Sequence, residues 1–582
     1  MRRIRRGVVA AVLAVAAVLA ASAATDAPQN ETLAARFGDT ARVDIVNIWV
    51  RVTDRGGSPV DGLETTDFEL LVDDKPIPIV NFLATPAAGD SLVDGVSESS
   101  STAVDLGRYL VIFVDNRGGR PLVRDKVLRE LAAQLPAYLA GGRRIMLVSH
   151  DREIRVLHGF GDDPGELAAR LQELAGTTAG GSSLVNEYNE ILAAIDRTSY
   201  TVESEVVQDV NELPDNPALL ALQGQARSLL QRSRNYADSL LHDLRARLAM
   251  MAQFQATLAG LPGKKDMLYI GEGFNTRPGE ELFVIWDQRY PELGEAMFFS
   301  LDQESSRYRI DEELDQLVSQ SNASGVTCHT LYTAGSERFS SLSARSSGPA
   351  GASTVATSGH RAIEDSLSYL ASATGGLALS PGGEPNAAIA RLPDELDRYY
   401  LLGFEPIHRD DQTAHRIDVK VKRQGLRVRH RESYRFKTAD ERMSELTYAS
   451  LLFEPGTNPL EAAISLKAIE ERDQGRFEVS VEVTVPLAKL ALVPSKGTHI
   501  GQVKAFFAVK DERGWASPVR VQSFPVYIPN TSLLTALGQD ATFSWKLLAR
   551  SGPQELAVTL RDDLAEVASA VTLEFDIPES KD

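Results

Sequence analysis

The chain of 582 residues holds one cysteine, Cys328, so no disulfide can form within it. Folding must therefore rest on apolar cores, and a hydrophobic content of 43% supplies them. Cys328 lies in the apolar stretch from Gly325 to Tyr332 and reads as a buried strand thiol. Cationic excess is also absent. The net charge of −19 argues against wholesale nucleic-acid binding. After residue 24 no apolar run is long enough to cross a bilayer as a helix. There is no His-Glu-x-x-His, no Gly-x-Ser-x-Gly elbow and no Walker A loop. The nine histidines are scattered without zinc-ligand spacing. Cys328 and His329 are strand neighbours that point to opposite faces, so they cannot form a dyad with each other. No enzyme is expected on these grounds.

What is present begins at the N-terminus. Arg2, Arg3, Arg5 and Arg6 precede an apolar run from Val8 to Leu19, and Ala21-Ser22-Ala23 follows at cleavage spacing. Residues 1–24 thus read as a secretory signal peptide, and the expected location is periplasmic or extracellular. Residues 40–84 carry strand patterns, with Val46, Ile48, Val50 and Val52 alternating with Asn47, Trp49, Arg51 and Thr53. A linker rich in Ser, Ala and Gly covers 85–104. From 105 to 398 strands alternate with helices. Tyr109–Val114, Arg144–Ser149, Asp266–Ile270 and Gly325–Tyr332 are unbroken apolar runs suited to central parallel strands. A long helix is expected over 223–260, striped by Leu230, Ala237, Leu241, Leu244, Leu248 and Met251. Residues 272–303 read as an insertion with exposed aromatics.

These features predict an α/β domain over 105–398, with a doubly wound, mostly parallel sheet. It would be inserted into a discontinuous β-sandwich made of 40–84 and 399–437, since neither piece alone has enough strands for a core. Residues 445–579 alternate throughout and predict an immunoglobulin-like β-sandwich. Nine basic residues crowd 416–437. They read either as a solvated sheet face or as a contact for an anionic surface.

The α/β order resembles a von Willebrand factor A domain. The Val52–Leu63 turn, the Tyr399–Phe404 strand and the Gly425–Tyr434 segment are similar to an exported VWFA-related family known mainly from acidobacteria. That resemblance implies a metal-ion-dependent adhesion site with Asp-x-Ser-x-Ser after the first strand, a Thr in a later loop and an Asp after the fourth strand. Here Asp115-Asn116-Arg117-Gly118-Gly119 keeps the Asp but replaces both serines by Arg117 and Gly119. Ser182, followed by Ser183, stands where Thr would be, and Glu272 where Asp would be. A Mg²⁺ on Asp115, Ser182 and Glu272 is one reading. The other is a degenerate, metal-free site in which Arg117 pairs with Asp115 or Glu272 and replaces the cation. In both readings the ligand-binding face is made of these strand-end loops. The implied partner is another protein or an envelope component, with an unrecognised enzyme or a structural envelope component as the alternatives.

Overall fold

The computed structural model describes residues 45–85, 107–117, 121–177, 182–205, 217–291, 299–333, 351–379, 385–407, 411–453, 456–472 and 476–579. The signal-peptide segment 1–24 and nearly all of the 85–104 linker lie outside them.

The N-terminal strands are β1 (Val46–Thr53), β2 (Phe68–Val72), β3 (Lys75–Ile77) and β4 (Asn81–Ala84). The α/β layer follows as β5 (Arg108–Asp115), α1 (Pro121–Leu139), β6 (Arg143–His150), β7 (Ile154–Gly161), α2 (Pro164–Ala175), α3 (Ser182–Glu205), α4 (Pro217–Thr257), β8 (Lys264–Gly271), α5 (Glu280–Arg289), α6 (Leu301–Arg307), α7 (Asp311–Ser324), β9 (Val326–Tyr332), α8 (Gly351–Ala373), β10 (Ala378–Leu379) and α9 (Pro385–Asp397). Its six-stranded sheet runs β10-β9-β8-β5-β6-β7. All neighbours are parallel except the edge strand β7, which returns antiparallel to β6. The chain thus starts in the middle of the sheet, winds to one edge, and crosses back to build the other.

Strand periodicity explains why both faces are covered. Leu110, Ile112 and Val114 of β5 enter one apolar cluster with α1, α2 and α9, whereas Val111 and Phe113 enter another with α3, α4, α5, α7 and α8. The expectation of exposed aromatics over 272–303 is corrected. Phe274, Phe283, Trp286 and Tyr290 are buried in the second cluster, and the indole N–H of Trp286 donates to the carbonyl of Ala226 at 2.9 Å. Phe283 and Trp286 share the inward face of α5, and Phe274 and Tyr290 flank that helix.

Beyond α9 come β11 (Tyr400–Phe404), β12 (Ala414–Val421), β13 (Arg427–Arg429) and β14 (Ser433–Arg435). They interleave with the N-terminal strands in two four-stranded sheets, β13-β1-β11-β4 and β14-β12-β2-β3. Phe68 of β2 meets Tyr400 of β11 at 5.3 Å and Phe82 of β4 at 5.8 Å, so aromatic rings fill the space between the sheets.

Residues 439–452 form a helix, α10 (Ala439–Leu452), which corrects the all-strand expectation for 445–579 at its start. Thr438 caps it, accepting from the Glu441 amide while Glu441 reaches back to Thr438. The remaining strands are β15 (Ala463–Arg472), β16 (Arg476–Pro486), β17 (Val493–Ser495), β18 (Thr498–Asp511), β19 (Arg520–Pro529), β20 (Asp540–Arg550), β21 (Gly552–Asp562) and β22 (Val567–Ile577). They make a three-stranded and a five-stranded sheet facing each other over one apolar core, with Phe507 stacked on Trp545 at 4.9 Å. On the outer face of the five-stranded sheet, Leu451 of α10 packs on Ala508 and Ala557.

Candidate functional site

In an open doubly wound sheet, ligands bind outside the carboxyl ends of the strands, where the winding reverses. That point lies between β5 and β8, and Asp115 ends β5 there. Asp115 shares the strand parity of Val111 and Phe113. It therefore faces the side covered by α4.

The Asp115 carboxylate is buried and fully engaged. One oxygen, Oδ2, accepts from the Tyr269 hydroxyl at 2.7 Å and from Arg247 Nη1 of α4 at 3.0 Å. The other, Oδ1, accepts from the Arg117 amide at 3.1 Å and lies 3.3 Å from His150 Nδ1. Burial opposes ionisation of Asp115, but the Arg247 charge with the His150 and Tyr269 hydrogen bonds outweighs it. The carboxyl is held well below its ordinary range. The same carboxylate keeps Arg247 charged against the cost of its own burial. Glycine at 271 is needed for this packing: a Cβ there would meet Asp115 Cβ at 2.9 Å and the Tyr269 hydroxyl at 2.7 Å.

Around this core, Arg117 pairs its guanidinium with Asp243, one helical turn before Arg247 on α4. It also donates to the Asp151 carbonyl at 3.3 Å. Asn116 is clamped by Arg124 of α1, which donates to Asn116 Oδ1 at 3.0 Å and to the carbonyl of Thr177 at 2.6 Å. Arg124 thus fastens the loop after β5 to the segment that ends α2. Glu272 follows β8 and is buried.

The loops expected to converge do so in part. Asp115, Asn116 and Arg117 sit together, and Glu272 follows directly on Gly271, which packs on Asp115. Gly119 lies outside the described residues. Ser182 and Ser183 begin α3, and their side chains lie outside the description. The expected pairing of the Arg117 guanidinium with Asp115 or Glu272 is corrected. Only its amide reaches Asp115, and its guanidinium is taken by Asp243. The cation against Asp115 is Arg247, which sequence reasoning missed. Its signal was present, because Arg247 falls between Leu244 and Met251 on the buried stripe of α4, where a charge needs a partner. His150 and Tyr269 were missed as well, being ordinary members of apolar strands by sequence.

Among the described residues no group of three or more His, Cys, Asp or Glu side chains is placed to hold a metal ion. A divalent ion on Asp115 would sit against the Arg247 guanidinium, and both carboxylate oxygens already accept hydrogen bonds. The donors described around Asp115 do not fit Mg²⁺. Cys328 is buried in the same layer, within 3.3 Å of Gln255 Nε2, and burial pushes its thiol up to about 11.

The basic 416–437 segment is largely tied down. Arg423 pairs with Asp67 at 2.7 Å, Arg429 with Glu395, Arg435 with Glu441 at 3.4 Å and Lys437 with Glu445 at 2.7 Å. Arg431 is directed inward to the carbonyls of Asn322 and Asn47. Of the two readings of this segment, these ion pairs agree with the sheet face.

The layer is an α/β domain of the doubly wound class with a buried charge cluster at its strand ends. No family model and no curated protein matches the chain. Among solved structures, the vWF domain of the type V pili tip protein Mfa5 from Porphyromonas gingivalis is similar at 13% identity and TM-score 0.22, over 50% of this chain and 96% of that one. A structure of three N-terminal domains of Mfa5 covers 93% of this chain and 78% of its own, at 12% identity and TM-score 0.24. An aerotolerance-related membrane protein from Bacteroides fragilis gives 10% identity and TM-score 0.20, over 50% of this chain and 98% of that one. Scores this low fix neither fold nor activity.

Proposed function

We propose that this is an exported protein-binding protein of adhesion type, built on a von Willebrand A-like domain that works without a metal. Its binding face is the set of loops at the carboxyl ends of β5, β6 and β8, and its partner is another protein or an envelope component. One observation carries the reading. The carboxylate that would anchor a bridging cation already has a cation, Arg247, supplied by the chain itself. Asp115, Arg247, Tyr269 and His150 engage one another at the strand ends, while Arg247 Nε and His150 Nε2 have no partner among the described residues. What remains outward are loop groups such as Arg117, Asp151 and Arg152. Groups of that kind suit a surface contact better than turnover of a small substrate.

Export rests on the N-terminal Arg-rich, apolar and small-residue sequence. Expression in a Gram-negative host should yield an exported chain beginning at about Thr25 by mass spectrometry.

Two experiments test the binding reading. Calorimetric titration with Mg²⁺, Mn²⁺ and Ca²⁺ should show no tight site. Tight binding that disappears in Asp115→Ala would overturn metal independence. Capture from envelope fractions should give a partner set that Arg117→Ala/Arg152→Ala loses. An unchanged set would remove this face as the binding site.

A further inference from the structure

At the opposite, amino-terminal end of the parallel sheet, three buried carboxylates are each shared by two bases. Glu395 of α9 takes both Arg429 of β13 and Arg51 of β1, whose Nε stands 3.4 Å away. Asp397 takes Arg143 and, at 3.7 Å, Arg108. Asp266 takes Lys264 at 2.5 Å and His329 at 3.3 Å. Burial lowers the pKa of His329, so it adds no fixed charge. Four guanidiniums and the Lys264 ammonium, itself lowered by burial, thus face three carboxylates. Tyr399 takes up part of the excess on its ring face, where Lys264 Nζ lies 5.0 Å from the centroid. Asp394 acts on Arg51 from the exposed rim.

The shortfall falls on Arg51. Its side chain is 7% exposed. Nη1 donates to the carbonyl of Arg398, but neither Nε nor Nη2 has a hydrogen-bond acceptor among the described residues. Arg51 also stands directly across the strand pair from Arg429. Like charges in that register repel. A water would satisfy the N–H group and leave the charge, whereas an anion answers both needs.

We propose that Arg51 Nη2 holds a small inorganic anion, chloride under physiological salt, in the joint between β1, β13 and α9. The site is independent of the loop face proposed for partner binding. Its role is to let two guanidiniums share Glu395 where the N-terminal strand meets the α/β layer.

Crystals of the full chain grown in bromide should show an anomalous peak within hydrogen-bond distance of Arg51 Nη2. A water there, or no peak, overturns the proposal. In solution, exchanging gluconate for chloride at constant ionic strength should raise Tm by on the order of 2–4 °C. In Arg51→Met that gain should vanish. Equal Tm in both salts for the wild type, or the same gain in the variant, counts against the site. Should Arg51→Met fail to fold, the bromide experiment on the wild type decides alone.

Discussion

Replacing Arg247 by methionine strands the Asp115 carboxylate in the interior, hydrogen-bonded by Tyr269 and His150 but without its cation. The expected cost is about 3–5 kcal/mol, measured by urea unfolding. The double change Arg247→Met/Asp115→Asn should recover part of it, because no buried charge is left unpaired. The pH profile gives a second readout. In the wild type Asp115 titrates well below its ordinary value. Its contribution is present at and above pH 3.8 and is lost only as pH falls through the lower folded value. In Arg247→Met burial dominates and raises the carboxyl instead, so stability should fall as pH rises above about 4. An unaltered profile would mean that Arg247 does not set the state of Asp115.

Lys265 tests the opposite sign. It is buried, donates to the carbonyl of Leu261 at 2.9 Å, and is lowered to about 7 by burial, with Lys437 and Arg431 adding to the effect and Glu445 opposing it. The unfolded chain binds the proton up to about 10.5, so stability should rise with pH between about 7 and 10.5. Lys265→Met should flatten that rise and stabilise the protein at pH 7. Thermal unfolding across the range checks it.

At the scale of elements, α10 shows how a local signal competes with periodicity. The Thr438-x-x-Glu441 capping box marks a helix start, while the alternation expected from 445 onward covers the second half of the same helix. Thr438→Ala should cost about 1 kcal/mol. Close packing sets a sharper constraint at Gly260, where a Cβ would stand 2.0 Å from the Glu445 carbonyl. Gly260→Ala must displace the loop before β8 from α10, at about 1–3 kcal/mol or more. If Gly260→Ala unfolds at the wild-type urea midpoint, that packing is absent. Helix α9 was not anticipated either. It opens at Pro385 and buries Ile389, Leu392 and Leu396, a helical spacing that the preceding Gly-rich segment obscured.

On the scale of the whole molecule, β11 and β12 take their sheet neighbours from β1, β4 and β2. Deleting residues 45–84 removes those neighbours while leaving the α/β sequence intact. The truncated chain should expose strand edges and aggregate in size-exclusion chromatography. Residues 456–579 carry a separate apolar core and should fold as a fragment with a cooperative urea transition.

The sequence by itself determined the elements with strong period. Tyr109–Val114 had to be a strand buried on both faces, and the Leu230–Met251 stripe had to be a helix packed on an apolar surface. It also placed Asp115 at a strand end, because an acid closing an apolar run has nowhere else to go. Only the tertiary structure decided what Asp115 meets. Arg247 is 132 residues away along the chain. Which stripe residue of α4 stands over the end of β5 depends on how the helix lies across the sheet, and no local pattern encodes that. Arg117, next in sequence, was the nearer guess for the same reason that it was wrong. Adjacent loop residues share a location, but the direction of a long side chain is set by the charges around it. Here Asp243 claims Arg117 and leaves Asp115 to Arg247.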